Sequence, residues 1–221
     1  MKRPIVYLAG VGKYAPPRIM RNAEFAELGL ETDDEWIVQR TGIRERHIAA
    51  PHETNRTMAS AASRVAMERA GVSAGELDLI VLGTASPDRL LPSTAVDVQA
   101  ELGATRAAAF DVMAACSSFL YGLIVAEGLM HTGSAETSLV IGTEKLTTIV
   151  DWKDRSTCVL FGDGSGAAVL KRSDGTKGIL STFMRTDGRL AELLYRPSGG
   201  AAHPFDATVL QDRSFYVRME G

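Results

Sequence analysis

The chain has 221 residues, 45% of them hydrophobic and 23% charged, a globular composition that excludes a disordered or fibrous protein. A net charge of −3 leaves no basic footprint for nucleic acid. Two cysteines far apart, Cys116 and Cys158, exclude a disulfide framework and suit a reducing compartment; no apolar stretch reaches the ~18 residues of a membrane span, so the cytoplasm is the expected location.

The first predicted element is a strand, Ile5–Val11. The apolar run behind Lys2 and Arg3 is too short for a signal-peptide core, and Lys13-Tyr14-Ala15-Pro16-Pro17 is no cleavage site. Thr32-Asp33-Asp34-Glu35 has the Thr-x-x-Glu form of a capping box and predicts a helix from Asp33 to about Gln39. Met58, Ala62, Val65, Ala66 and Ala70 recur at close to helical period, so Thr54–Ala70 is a helix that Gly71 stops. Leu77–Gly83 reads as a buried strand, and Pro92–Leu102 as a helix with Pro near its start and Gly103 at its end.

Ala107–Val112 is a short apolar strand. Ser117–Ala126 is almost wholly apolar and reads as a buried helix ending near Gly133. Ser138–Gly142 is the next strand. Cys158–Phe161 and Ala167–Lys171 flank FGDGSG (Phe161–Gly166) and read as paired strands around a tight glycine turn, since the Lys-Ser/Thr ending of a phosphate loop is missing. Gly178–Arg185 reads as the first strand of a new unit, followed by a loop through Pro197–Asp206 and a closing strand near Phe215–Met219. Strands alternating with helices predict an α/β fold with mostly parallel strands.

Cys116 stands where a strand joins a helix. Unpaired N–H groups and the helix dipole at such a position favour a thiolate and an oxyanion on an attacked carbonyl. A small buried core cysteine is an equal alternative on spacing alone. Trp36 and Arg40, four residues apart, share one helix face and offer planar surfaces for a base and a phosphate; a core anchor and a solvated arginine are the plainer readings. His47, His52, His131 and His203 sit in no catalytic motif, and no cluster has metal-ligand spacing.

Three segments carry a family resemblance: DVMAACSSFLYGL at Asp111–Leu123, TDDEWIVQRTGIRERHIAAP at Thr32–Pro51, and DRSTCVLFGDGSGAAVL at Asp154–Leu170. In order and spacing they resemble β-ketoacyl-acyl carrier protein synthase III, the condensing enzyme that starts bacterial fatty-acid synthesis and a member of the thiolase superfamily. The resemblance runs along the chain from Ile5. It implies a thiolase-like layered sandwich (α-β-α-β-α), with residues 1–172 as a complete N-terminal half and 173–221 as the start of an incomplete C-terminal half. It also places the family's catalytic His and Asn beyond the end of this chain.

By the same resemblance Cys116 is the nucleophile. Trp36 and Arg155 cover the adenine of coenzyme A from its two sides, and Thr32 and Arg40 lie in that site. Leu91 aligns where a phenylalanine often reaches across a homodimer interface into the partner's acyl pocket; the smaller leucine implies room for a starter longer than acetyl. The implied reaction is acyl transfer from acyl-coenzyme A to Cys116, then decarboxylating Claisen condensation with malonyl-acyl carrier protein, without metal or redox cofactor, nucleic acid or membrane. Two other readings stay open: a related acyltransferase of secondary metabolism with a different acceptor, and a catalytically incomplete fragment or dimerisation lobe.

Overall fold

The computed structural model describes residues 6–220. In chain order its elements are β1 (Val6–Tyr14), β2 (Arg18–Arg21), α1 (Glu24–Glu27), α2 (Asp34–Thr41), β3 (Glu45–Ile48), α3 (Asn55–Ala70), β4 (Leu79–Gly83) and α4 (Thr94–Leu102). They continue with β5 (Ala108–Val112), α5 (Ser118–His131), β6 (Thr137–Lys145), α6 (Arg155–Cys158), β7 (Asp163–Arg172), β8 (Leu194–Tyr195) and β9 (Arg218–Met219). Ile5, the first residue of the expected opening strand, lies outside the described residues. The chain divides into two compact units, one of residues up to 16 with 49–145 and 164–184, the other of 17–48, 146–163 and 185 onward.

The first unit is built on a five-stranded sheet of order β1-β7-β6-β4-β5. β4 pairs in parallel with β5 and with β6, whereas β1 runs antiparallel to β7. Alternate residues of a strand point to opposite faces, and both faces of this sheet are covered. Ile80 and Leu82 of β4 join Leu139 and Ile141 of β6 in a core with Ala62 and Ala66 of α3 and Val98 of α4. Leu79 and Val81 join Val140, with Ala126 and Met130 of α5, in a second core. Burial on both faces explains why β4 is apolar throughout rather than alternating. α3 is closed by a reciprocal capping box between Thr54 and Thr57 and ends on Gly71 at φ 62°, a left-handed position that glycine adopts without a Cβ clash.

The second unit pairs β2 with β3 antiparallel over a core of Met20, Phe25, Ile37, Ile48, Val150, Cys158 and Val159. Arg46 is buried in it, donating to the Met20 carbonyl at 3.1 Å, the Asn22 side chain at 2.7 Å and the Val159 carbonyl at 3.1 Å. Its guanidinium carbon lies 4.7 Å from the Phe25 ring centre. β8 and β9 form a separate antiparallel pair.

Four expectations need correction. FGDGSG is not a turn: β7 runs through Gly164 and Gly166 opposite β1, and the residues before it, Arg155–Cys158, form a helical turn rather than a strand. Its glycines serve close approach, since a Cβ at Gly162 would lie 2.9 Å from the Arg46 Cβ and 3.0 Å from the His47 carbonyl oxygen. The helix after Thr32 is capped by Asp33, whose carboxylate accepts from the Trp36 N–H at 2.7 Å, so the N-cap sits one residue later than the Thr-x-x-Glu pattern indicates. Gly178–Arg185 forms no strand. Its Ile179 N–H bonds the Val6 carbonyl at 2.8 Å, and Leu180 and Phe183 are 89% and 82% exposed, because a strand needs a partner ladder and none of the described residues supplies one. α5 is buried along one side, through Ser118, Gly122, Ala126, Glu127 and Met130, while Leu120 is 60% exposed.

Candidate active site

In the first unit Gly83, Val112 and Gly142 lie side by side across β4, β5 and β6; β4 and β5 end at this level and β6 runs on to Lys145. The carboxyl edge of such strands is where open α/β sheets place their ligands. Four residues past Val112, Cys116 lies exposed in a 3-10 turn, Ala115–Ser117, that leads directly into α5. The turn is tight. Ala115 takes φ 46°, sparsely populated for a residue with a Cβ, and the Ser118 hydroxyl accepts from the Ala114 N–H at 2.8 Å. The N–H groups of Ser117 and Ser118 bond the carbonyls of Ala114 and Ala115, so the turn itself uses part of the donor set expected at this helix start.

Two glycines let α5 start this close to the sheet. A Cβ on Gly83 would lie 2.5 Å from the Ser118 Cβ and 3.0 Å from its backbone carbon; one on Gly142 would meet the Phe119 Cβ at 3.3 Å. Gly83→Ala is therefore expected to push back the start of α5, lowering stability by about 1–3 kcal/mol as overpacking does. Thermal unfolding and the alkylation rate of Cys116 measure both effects, and an unchanged pair of values refutes this account of the glycine.

Cys158 contrasts with Cys116. It closes α6 and is 1% exposed; burial, with Asp154 nearby, pushes its thiol up to about 11. The strand expected around it is absent, and its burial comes instead from the core beneath β2 and β3. At pH 8 about a thousandth of such a thiol is ionised. Alkylation at that pH is expected to consume one thiol, Cys116, with Cys158 reacting only after unfolding; early labelling of Cys158 contradicts this.

His131 closes α5, about 20 Å along the helix from its start, with its Nε2 3.4 Å from Glu127. His52 and His203 are exposed and His47 lies in β3. Among the described residues no group of three or more His, Cys, Asp or Glu could hold a metal ion, and no helix is long and apolar enough to cross a membrane.

The second unit brings together the residues expected to hold a nucleotide. The half-buried Trp36 indole has the Arg40 guanidinium carbon 4.4 Å and the Arg155 guanidinium carbon 4.5 Å from its ring centre. Arg155 also donates to the Glu31 carbonyl, next to Thr32, whose hydroxyl has no hydrogen-bond partner among the described residues. At 4.5 Å the Arg155 and Trp36 planes are in direct contact. A base between them would need about 3.4 Å on each side, so Arg155 must swing away to admit one.

Leu91 lies in the first unit, in the segment between β4 and α4, and is 85% exposed beside Leu90 at 77%. Sequence reasoning passed over the carboxylates that hold this segment. Asp111 of β5 accepts from the Thr94 and Ala95 N–H groups, both at 2.8 Å, and so caps α4; burial raises its pKa. An isolated Asp inside an apolar strand is the signal that could have marked it.

The family model for 3-oxoacyl-(acyl-carrier-protein (ACP)) synthase III matches residues 110–188. A beta-ketoacyl-(acyl-carrier-protein) synthase III of Rhodospirillum centenum is 52% identical over 196 residues, 87% of this chain and 60% of that protein. The crystal structure of 3-oxoacyl-(acyl-carrier-protein) synthase III from Aquifex aeolicus VF5 superposes with a TM-score of 0.87 at 44% identity, over 98% of this chain and 65% of that one. The priming beta-ketosynthase of the R1128 polyketide biosynthetic pathway gives a TM-score of 0.88 at 37% identity, over 99% and 64%. The chain thus spans about 60% of the length of the curated relatives it matches. The fold is mixed α/β and thiolase-like.

Proposed function

Because this chain belongs to the 3-oxoacyl-(acyl-carrier-protein) synthase III family, we propose that it carries the acyl-accepting part of a condensing enzyme that starts fatty-acid synthesis. The observation that carries the reading is Cys116, exposed at the start of α5 just past the carboxyl end of β5. Its sulfur attacks the carbonyl of an acyl-coenzyme A thioester; the bond to the coenzyme A sulfur breaks, the acyl group stays on Cys116, and the thiol proton passes to the released coenzyme A. The acyl-enzyme then receives the enolate formed when malonyl-acyl carrier protein loses carbon dioxide, giving 3-oxoacyl-acyl carrier protein. The resemblance assigns the polarising of the malonyl carbonyl to a His and an Asn outside this chain's residues.

Thr32, Trp36, Arg40 and Arg155 bind the coenzyme A end of the donor, which in this reading is a substrate and not a resident cofactor. A free hydroxyl at Thr32, an indole and two guanidiniums suit a base and a phosphate chemically. The protein works as a cytoplasmic homodimer, with Leu91 of one copy entering the acyl pocket of the other. Residues 173–221 begin the second thiolase-like half. Incubation with acetyl-coenzyme A followed by peptide mass mapping tests the reading. Acetylation at Cys116 with stoichiometric release of coenzyme A supports it, and release without an acyl-enzyme refutes it.

A further inference from the structure

We propose that Glu144 is a positioning residue for starter selectivity, acting through the loop between β4 and α4 that presents Leu91; the proposal rests on the reading of Leu91 given above.

That loop, residues 84–93, is held at its root by a half-buried carboxylate, Glu144, that forms no ion pair among the described residues. The Ala85 N–H donates to Glu144 Oε1 at 2.7 Å, while the Ser86 hydroxyl and, at 3.3 Å, the Thr84 hydroxyl donate to Oε2. The Ser86 oxygen in turn accepts from the Lys145 N–H at 2.9 Å. The Lys145 ammonium donates to the Ala50 and Glu53 carbonyls at 2.8 and 2.7 Å. Burial raises the Glu144 pKa against the pull of these hydrogen bonds. A charge buried without a cation is costly, and here the donors that offset the cost all belong to the root of one loop.

Further ties continue along it. The Asn55 side chain, 1% exposed, donates to the Ser86 carbonyl at 2.5 Å and accepts from the Thr143 hydroxyl at 3.1 Å. Asp88 accepts from the first N–H groups of α3, Asn55 at 2.8 Å and Arg56 at 2.9 Å. Arg89 pairs with Asp97 of α4, and Asp111 caps α4 where the loop ends. Between these ties the tip carries Leu90 and Leu91, both bare. An exposed apolar tip on an ordinary loop would be mobile; one braced at its root and along its length is held in a single position. Such a tip can set the depth of a pocket it enters, because a mobile leucine would yield to a longer chain.

The test is the ratio of initial Cys116 acylation rates from hexanoyl- and acetyl-coenzyme A, read by intact-protein mass. Leu91→Ala fixes the ratio of a site without the leucine, about tenfold shifted toward hexanoyl, the scale of methylene-sized changes in an apolar pocket. Glu144→Gln keeps the volume and an acceptor for the Ala85 N–H, but it replaces the charged acceptor of the Ser86 and Thr84 hydroxyls by an amide N–H that they must turn to accept, which weakens the root of the loop. It should move the ratio at least half of the way to the Leu91→Ala value while the acetyl rate stays within about threefold. The double variant should move no further than Leu91→Ala, the signature of two residues acting through one contact. Ser86→Ala, a smaller lesion of the same brace, should shift the ratio in the same direction by about twofold, and decides the matter if Glu144→Gln fails to fold. A ratio unchanged in the brace variants but shifted in Leu91→Ala overturns the role of Glu144 and leaves Leu91 standing. An equal fall in both rates at constant ratio marks a merely structural brace and also overturns it. A ratio unchanged in Leu91→Ala removes the reading of Leu91 and this inference together.

Discussion

Replacing Cys116 with alanine is expected to abolish acyl transfer, with acyl-enzyme formation from acetyl-coenzyme A falling on the order of a thousandfold or more. The expectation has a structural control. Cys116 is exposed, so the substitution removes a sulfur without opening a core cavity, and unfolding midpoints should stay within about 0.5 kcal/mol of the parent. Cys116→Ser should fail nearly as completely, since a hydroxyl is a far poorer nucleophile without an adjacent base, and His131, which closes α5, lies at the far end of that helix. Cys158 cannot take over, because burial holds its thiol at about 11. Mass mapping decides between the two sulfurs. Acyl groups recovered on Cys158 in the Cys116→Ala protein would overturn the assignment.

The second large effect concerns the nucleotide. Trp36→Ala is expected to weaken coenzyme A binding by about ten- to a hundredfold, the ~1–3 kcal/mol that a base gains by stacking on an aromatic plane. Trp36 also packs against the Phe25 and Ile37 core, so the same change will lower stability, and affinity alone does not separate the roles. Arg155 does separate them. It is exposed, lying over the indole face and donating to the Glu31 carbonyl, so Arg155→Ala should lose affinity of the same order with little loss of stability. The release of Trp36 from its Arg155 contact should also change indole fluorescence when coenzyme A binds. Calorimetric titration beside thermal unfolding checks the pair. Unchanged affinity in both variants, with Trp36→Ala strongly destabilised, returns Trp36 to the core.

Much of the fold was legible because it depends on patterns within a few residues. Apolar runs such as Leu77–Gly83 announce strands buried on both faces, and the helical recurrence of Met58, Ala62 and Ala66 announces α3, with Gly71 marking its end. Cys116 could be picked out because a short strand, a cysteine and an apolar helix follow one another directly, and that local order is what sets a thiol at a helix start.

The remaining features turn on contacts between residues far apart in sequence. FGDGSG has turn-like composition, but β1 lies alongside and supplies a ladder, so it becomes strand; Gly178–Arg185 has strand-like composition and no ladder, so it does not. Asp33 rather than Thr32 caps α2 because backbone geometry, not the Thr-x-x-Glu spacing, decides which side chain reaches the free N–H. The contact of Arg155 with Trp36 joins residues more than a hundred positions apart, and Glu144 braces a loop nearly sixty residues earlier. By itself the sequence determined the main strands and helices of the first unit, the nucleophile candidate and the family resemblance. The tertiary structure decided which segments found partners, and with them the hydrogen bonds, burial and close approaches that place the site. Those terms depend on neighbours that chain-local patterns do not encode.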